Sequence, residues 1–112
     1  SIYLQISQMI ETDILRGILL EEERVPSTNE LAKLYTINPA TAAKGVNILV
    51  DEGILYKKRG IGMFVATGAV EKIRSRRKDD FYRMRLAELL AEARSLGISK
   101  EELIEQIKKE EL

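Results

Sequence analysis

The chain has 112 residues, 45% of them hydrophobic, enough for one compact domain with a small appendage and too apolar for wholesale disorder. Its 18 basic and 18 acidic residues cancel, so any affinity for a polyanion has to come from local clusters rather than from net charge. The absence of Cys and His excludes disulfides, thiol and imidazole catalysis and the usual zinc sites.

No apolar run approaches the roughly 18 to 20 residues that span a bilayer, and the first residues lack the basic and apolar blocks of a signal peptide. A soluble, cytoplasmic protein without membrane contact is expected, with a few residues missing ahead of Ser1 because the chain does not begin with Met.

Residues 1 to 17 place Tyr3, Ile6, Ile10 and Ile14 at helical spacing, with Met9 and Leu15 alongside and Gly17 as a stop, which predicts an amphipathic helix whose stripe packs into a core. The acidic run Glu21-Glu22-Glu23 follows and reads as a solvated surface. Pro26 disfavours helix in the residue before it, so the next helix should open at Ser27. Ser27 and Glu30 have the spacing of a capping box, in which hydroxyl and carboxylate each satisfy an orphan backbone N–H. Leu31, Ala32 and Leu34 are expected on the inner face of this helix.

The connection Tyr35-Thr36-Ile37 is short, with Ile37 expected to be buried, and Asn38 then caps a third helix that carries Pro39 in its first turn. Two capped helices joined this tightly describe a helix-turn-helix. The third helix should run to about Glu52 and stop at Gly53. Ala42, Val46 and Leu49 fall on one face, leaving Ala40, Thr41, Ala43, Lys44 and Asn47 on or near the other. Small and polar residues there suit either close approach to base-pair edges or a solvated surface, and periodicity alone leaves both open.

Ile54-Leu55-Tyr56 and Met63-Phe64-Val65 read as strands around Arg59-Gly60-Ile61-Gly62, a hairpin whose glycines supply positive φ and leave room for a sugar-phosphate backbone. Lys57-Lys58-Arg59 makes that hairpin basic, although strand alternation could turn Lys57 away.

From Gly68 the pattern is helical again. Val70 and Ile73 precede the basic stretch Lys72, Arg74, Arg76, Arg77 and Lys78. Phe81, Tyr82, Leu86, Leu89, Leu90, Ala93 and Leu96 then form an apolar stripe that ends at Gly97-Ile98. Ser99 and Glu102 make a second capping box, opening a helix with Leu103, Ile104 and Ile107 inside. The two helices should fold back as an antiparallel hairpin and leave an apolar face for a second copy of the chain. The expected fold is mainly α with a small β-hairpin. A winged helix-turn-helix occupies 1–68 and a two-helix dimerisation region 69–112, with Leu86, Leu89, Leu90, Leu103, Ile104 and Ile107 at the subunit contact.

An enzyme is not expected, since no nucleophile elbow or phosphate loop is present and Gly60-Ile61-Gly62 lacks the third glycine and following helix of a dinucleotide fingerprint. No cofactor or metal is expected either, and no convergent polar residues mark an effector pocket.

The spaced runs Pro26-Ser27-Thr28-Asn29-Glu30-Leu31-Ala32, Ile37-Asn38-Pro39-Ala40-Thr41, Glu52-Gly53-Ile54-Leu55 and Arg59-Gly60-Ile61-Gly62-Met63-Phe64-Val65 resemble the DNA-binding domain of the GntR family of bacterial transcription regulators. The short helical tail is similar to that of the YtrA-like subfamily, in which this region dimerises the protein. Only 44 residues follow residue 68, too few for the effector-binding domains of larger subfamilies.

The resemblance implies that Ser27, Thr28 and Asn29 lie against the DNA backbone and that Asn38, Pro39, Ala40, Thr41, Ala43 and Lys44 enter the major groove. Lys58, Arg59 and Gly60 would form a wing reaching the adjacent minor groove. Many family members carry Arg where this chain has Asn29, and Ser-Arg where it has Asn38-Pro39, so the bidentate guanine contact typical of Arg is absent. Readout would then rest on Asn38, Thr41 and Lys44, with Ala40 or Ala43 against thymine methyls. For Thr41 the alternative is a hydroxyl bonded back to a helix carbonyl. The function implied is a homodimeric, sequence-specific regulator of double-stranded DNA, a repressor, on an inverted-repeat operator; the competing reading is a winged-helix module for protein contacts in a larger assembly.

Overall fold

The computed structural model describes all 112 residues, as six helices and one hairpin in the order α1 (Ile2–Leu15), α2 (Thr28–Tyr35), α3 (Pro39–Asp51), β1 (Leu55–Lys58), β2 (Gly62–Val65), α4 (Ala69–Asp80), α5 (Ala87–Ser95) and α6 (Lys100–Lys109). The chain divides into two units, Ser1–Ser75 and Arg76–Leu112.

In the first unit, α1 presents Ile6, Ile10 and Ile14 to a core completed by Leu31 of α2, Val46 and Leu49 of α3, and Leu55 and Val65 of the hairpin. Those are the expected apolar stripes. Both helix starts are capped as their sequences predict: Ser27 Oγ accepts from Glu30 N–H at 3.1 Å while Glu30 Oε1 accepts from Ser27 N–H at 3.1 Å. Asn38 Oδ1 accepts from Ala40 N–H at 2.8 Å, ahead of Pro39 in the first turn of α3. The strands pair antiparallel with Leu55 opposite Val65 and Lys58 opposite Gly62.

Five points differ from expectation. Leu34 is 67% exposed: two turns of α2 bury only a narrow stripe, which Leu31 and Ala32 fill. Ile37 is half-buried at the edge of the core, and Met9 stays exposed on the outer face of α1. The hairpin also gains a third extended edge from residues 22–25. Glu22 N–H donates to Val65 O at 2.7 Å, Val65 N–H to Glu23 O at 3.0 Å and Val25 N–H to Met63 O at 2.9 Å. Finally, the first unit extends past residue 68, because Ala69 and Ile73 of α4 are fully buried in its core.

The acidic run is exposed, as expected, but its carboxylates are committed to hydrogen bonds. Glu21 accepts from the N–H groups of Gly68 and Val70 at 3.0 and 3.1 Å and so caps the start of α4 from a distance of nearly fifty residues along the chain. Glu22, in the left-handed region at φ 67, accepts from the Tyr56 hydroxyl and, at 2.7 Å, from the Thr67 hydroxyl. Glu23 accepts from Leu20 N–H at 3.0 Å. Hydrogen bonds to the ionised form hold the Glu21 and Glu22 carboxyls below their ordinary value of 4.5, from Gly68 and Val70 for the first and from Tyr56 and Thr67 for the second. Their stabilising contribution is complete above that ordinary value and is lost as pH falls through the lowered native values. Glu21→Gln should lower the urea midpoint at neutral pH and converge on the wild type once the pH has fallen through the lowered native value; a difference that persists below it would rule out the carboxylate as its source.

In the second unit, a six-residue π-helical stretch, Phe81–Leu86, leads into α5. Ser99 and Glu102 form the expected capping box at the start of α6. Contact between α5 and α6 is concentrated at their turn, where Leu90, Ala93, Ile98 and Leu103 line a groove of about 270 Å³. Ile104 and Ile107 remain exposed, so the expected antiparallel hairpin is not closed along its length.

Candidate nucleic-acid interface

The N-terminal ends of α2 and α3 and the tip of the hairpin carry the expected contact residues. At α2, Ser27 and Thr28 are half-buried and Asn29 is exposed. The Ser27 oxygen is committed to its cap, which leaves the hydroxyl proton and the side chain of Asn29 to meet a partner.

On α3, Asn38, Pro39, Ala40 and Lys44 are exposed, while Thr41 and Ala43 are half-buried. Asn38 spends its carbonyl oxygen on Ala40 N–H, so its amide N–H groups face outward and the two-point adenine contact is compromised. No hydrogen bond from the Thr41 hydroxyl back to a carbonyl of its helix is present. The Lys44 ammonium does not extend freely from the helix: Nζ sits 4.1 Å from the centroid of the Tyr3 ring.

The wing differs from expectation in one respect. Lys58 is the last residue of β1 and its Nζ lies 4.6 Å from the Phe64 ring centroid, above a Tyr56–Phe64 stack with centroids 5.9 Å apart. Arg59, Gly60 and Ile61 alone form the projecting turn, closed by Ile61 N–H donating to Lys58 O at 3.0 Å. Gly60 takes φ 78 and a Cβ built there meets nothing within 4 Å, so the tip is open to an approaching backbone.

Two residues lie outside the expected contact set, Arg24 on this surface and Gly45 buried behind it. Arg24 lies on the third edge, 3.8 Å from Glu30 and against Gly62, where a Cβ would stand 2.8 Å from Arg24 Nε; it adds a cation between the start of α2 and the wing. Pairing across forty residues hides it from any local pattern. Gly45, in the middle of α3, was legible as an exception: a glycine inside a helical pattern signals close approach. A Cβ at Gly45 would stand 2.6 Å from Tyr3 O and 3.1 Å from Ile6 Cβ. The buried Ser7 hydroxyl donates to Gly45 O at 2.5 Å, so a side-chain-to-backbone hydrogen bond ties α1 to α3 behind the candidate surface.

In chemical terms this surface offers exposed amide and hydroxyl donors, separated cations and small side chains. No helix is long and apolar enough to cross a membrane.

Residues 2–65 match the model of bacterial regulatory proteins, gntR family. Among relatives, the HTH-type transcriptional repressor YtrA of Bacillus subtilis is 33% identical over 96% of this chain and 82% of its own length. The arabinose metabolism transcriptional repressor of Halalkalibacterium halodurans is 39% identical over 67 residues, and there the chain spans only 18% of the relative's length. Among solved structures, a putative transcriptional regulator of the GntR family from Bacteroides thetaiotaomicron superposes with a TM-score of 0.83 at 38% identity, over 97% of this chain and 95% of that one. AraR(DBD) in complex with operator ORX1 superposes over 57% of this chain and 77% of that one, with a TM-score of 0.55 and 34% identity. The winged-helix unit, its capped helix pair and these likenesses agree: the chain belongs to the GntR family of bacterial regulatory proteins.

Proposed function

We propose that this protein is a cytoplasmic transcription regulator that binds double-stranded DNA as a homodimer on an inverted-repeat operator, and that it acts as a repressor. The observation that carries the reading is the juxtaposition, in one small unit, of a capped α3 with small and polar residues in its first turns and an open Arg59-Gly60 wing. Likeness to a repressor along nearly the whole chain, and to a domain solved on its operator, supports the same reading.

In this reading α3 enters the major groove with Asn38, Pro39, Ala40, Thr41 and Ala43. Ser27, Thr28 and Asn29 hold the backbone. Arg59 and Gly60 reach the flanking minor groove, with Lys58 behind them. Most of the affinity comes from phosphate contacts, and specificity from Thr41 and the apolar approach of Ala40 and Ala43 to thymine methyls. The exposed apolar residues of the second unit, among them Leu86, Leu89, Ile104 and Ile107, support its use as the dimer contact together with Leu90 and Leu103 at the turn.

Selection of bound duplexes from a random pool tests the reading directly, and an enriched inverted repeat is the expected result. On that duplex, Arg59→Ala should weaken binding and reduce the slope of log K against log salt by about 0.9. Thr41→Ala should cost about 1 to 3 kcal/mol and relax preference at one position. Equal losses on selected and random DNA would remove Thr41 from the readout, and an unchanged salt slope would remove Arg59 from the phosphate contacts.

A further inference from the structure

Tyr3 stands in the first turn of α1, half-buried, at the point where α1 and α3 approach most closely. Its carbonyl oxygen lies against Gly45, and one turn later the Ser7 hydroxyl is bonded to the Gly45 carbonyl. The ring is thereby placed beside Lys44, whose ammonium rests 4.1 Å from the ring centroid. No acidic group is paired with Lys44; its one close partner is the aromatic face.

We propose that Tyr3 is a positioning residue for DNA binding: its ring holds the Lys44 ammonium at one place beside the recognition helix, where that ammonium takes a phosphate rather than a base edge. This rests on the DNA-binding reading above. A lysine on a flexible four-carbon stem is a point charge with no bidentate geometry of its own, and ordering it before contact removes part of the entropy lost on association. The ring covers one side of the ammonium and leaves N–H groups on the other for an anion. The stacked position draws the charge toward α1 and away from the leading turn of α3, where Thr41 and Ala40 lie.

Binding is measured on a duplex selected by the wild-type protein and on a random duplex. Tyr3→Leu should weaken both about two- to five-fold, the range an exposed cation–ring contact supports. Tyr3→Phe should retain wild-type affinity, and Tyr3→Leu should have no further effect in a Lys44→Met background. In the free full chain, the Lys44 ε-methylene proton resonances should be shifted upfield by the ring and return to ordinary values in Tyr3→Leu.

Tighter binding by Tyr3→Leu would mean that the ring competes with DNA for Lys44 and would overturn the proposal. So would a loss that persists in the Lys44→Met background, or one confined to the selected duplex. Duplex binding without the shifted resonance overturns the Tyr3 role alone. A shifted resonance in a wild-type protein that binds no duplex overturns the DNA-binding reading and the role with it.

Discussion

Gly45→Ala is expected to destabilise the winged unit by about 1 to 3 kcal/mol, the usual penalty for overfilling a packed contact. In an exposed helix interior the same exchange would stabilise by about 1 kcal/mol, since alanine is the better helix former. Here the added methyl would stand 2.6 Å from the Tyr3 carbonyl oxygen, a backbone atom that cannot swing aside as a flexible side chain does. Relief requires α1 and α3 to separate, which also strains the buried Ser7–Gly45 hydrogen bond. The clash therefore outweighs the propensity gain. Because the proposed base contacts lie on α3, DNA affinity should fall along with stability. Chemical unfolding of the full chain measures the first and duplex titration the second. A raised unfolding midpoint would show that the two helices are not in backbone contact.

The parts of this fold that were readable in advance are those whose determinants lie within a few residues of one another. The Ser27/Glu30 and Ser99/Glu102 capping boxes, the Asn38-Pro39 start and the hairpin around Gly60 are local, and each occurs where its residues place it. The long-range features were not readable. Glu21, Glu22 and Glu23 look like any solvated acidic run until Gly68, Thr67, Tyr56 and Val65 are brought beside them. Ala69 and Ile73 have the periodicity of a tail helix, and only packing assigns them to the first unit. The π-helical stretch at Phe81–Leu86 has no sequence signal that we can identify.

The candidate interface follows the same division. Helix ends and the wing tip were legible in outline, because caps and glycines announce them. The folding back of Lys44 onto Tyr3 and of Lys58 onto Phe64 was not, since each pairs a cation with a ring from another element or strand. Arg24 joined the surface only through the third edge of the hairpin.

Removing the second unit should have the largest effect on DNA binding. The cut belongs after Ser75 rather than after Gly68, because the shorter piece would lose the buried Ala69 and Ile73 and the helix start that Glu21 caps. Residues 1–75 retain every core side chain of the first unit and should fold, but as a monomer. If the full chain dimerises through the second unit as proposed, its two α3 helices are held at a fixed distance, and the operator half-sites should lie roughly 34 to 36 Å apart or at a multiple of that spacing. Occupation of one half-site then presents the second at high effective concentration. The monomeric piece loses that advantage, and its affinity for the inverted repeat should fall about 10²- to 10⁴-fold while its preference for a single half-site persists. Charge placed on the exposed stripe, as in Leu89→Glu or Ile107→Glu, should reproduce the loss in the intact chain by dissociating the dimer. Sedimentation gives the mass and titration the affinity. A 1–75 fragment that stays dimeric would move the subunit contact away from Leu86, Leu89, Leu90, Leu103, Ile104 and Ile107, and a full chain that is monomeric at micromolar concentration would overturn the dimer itself.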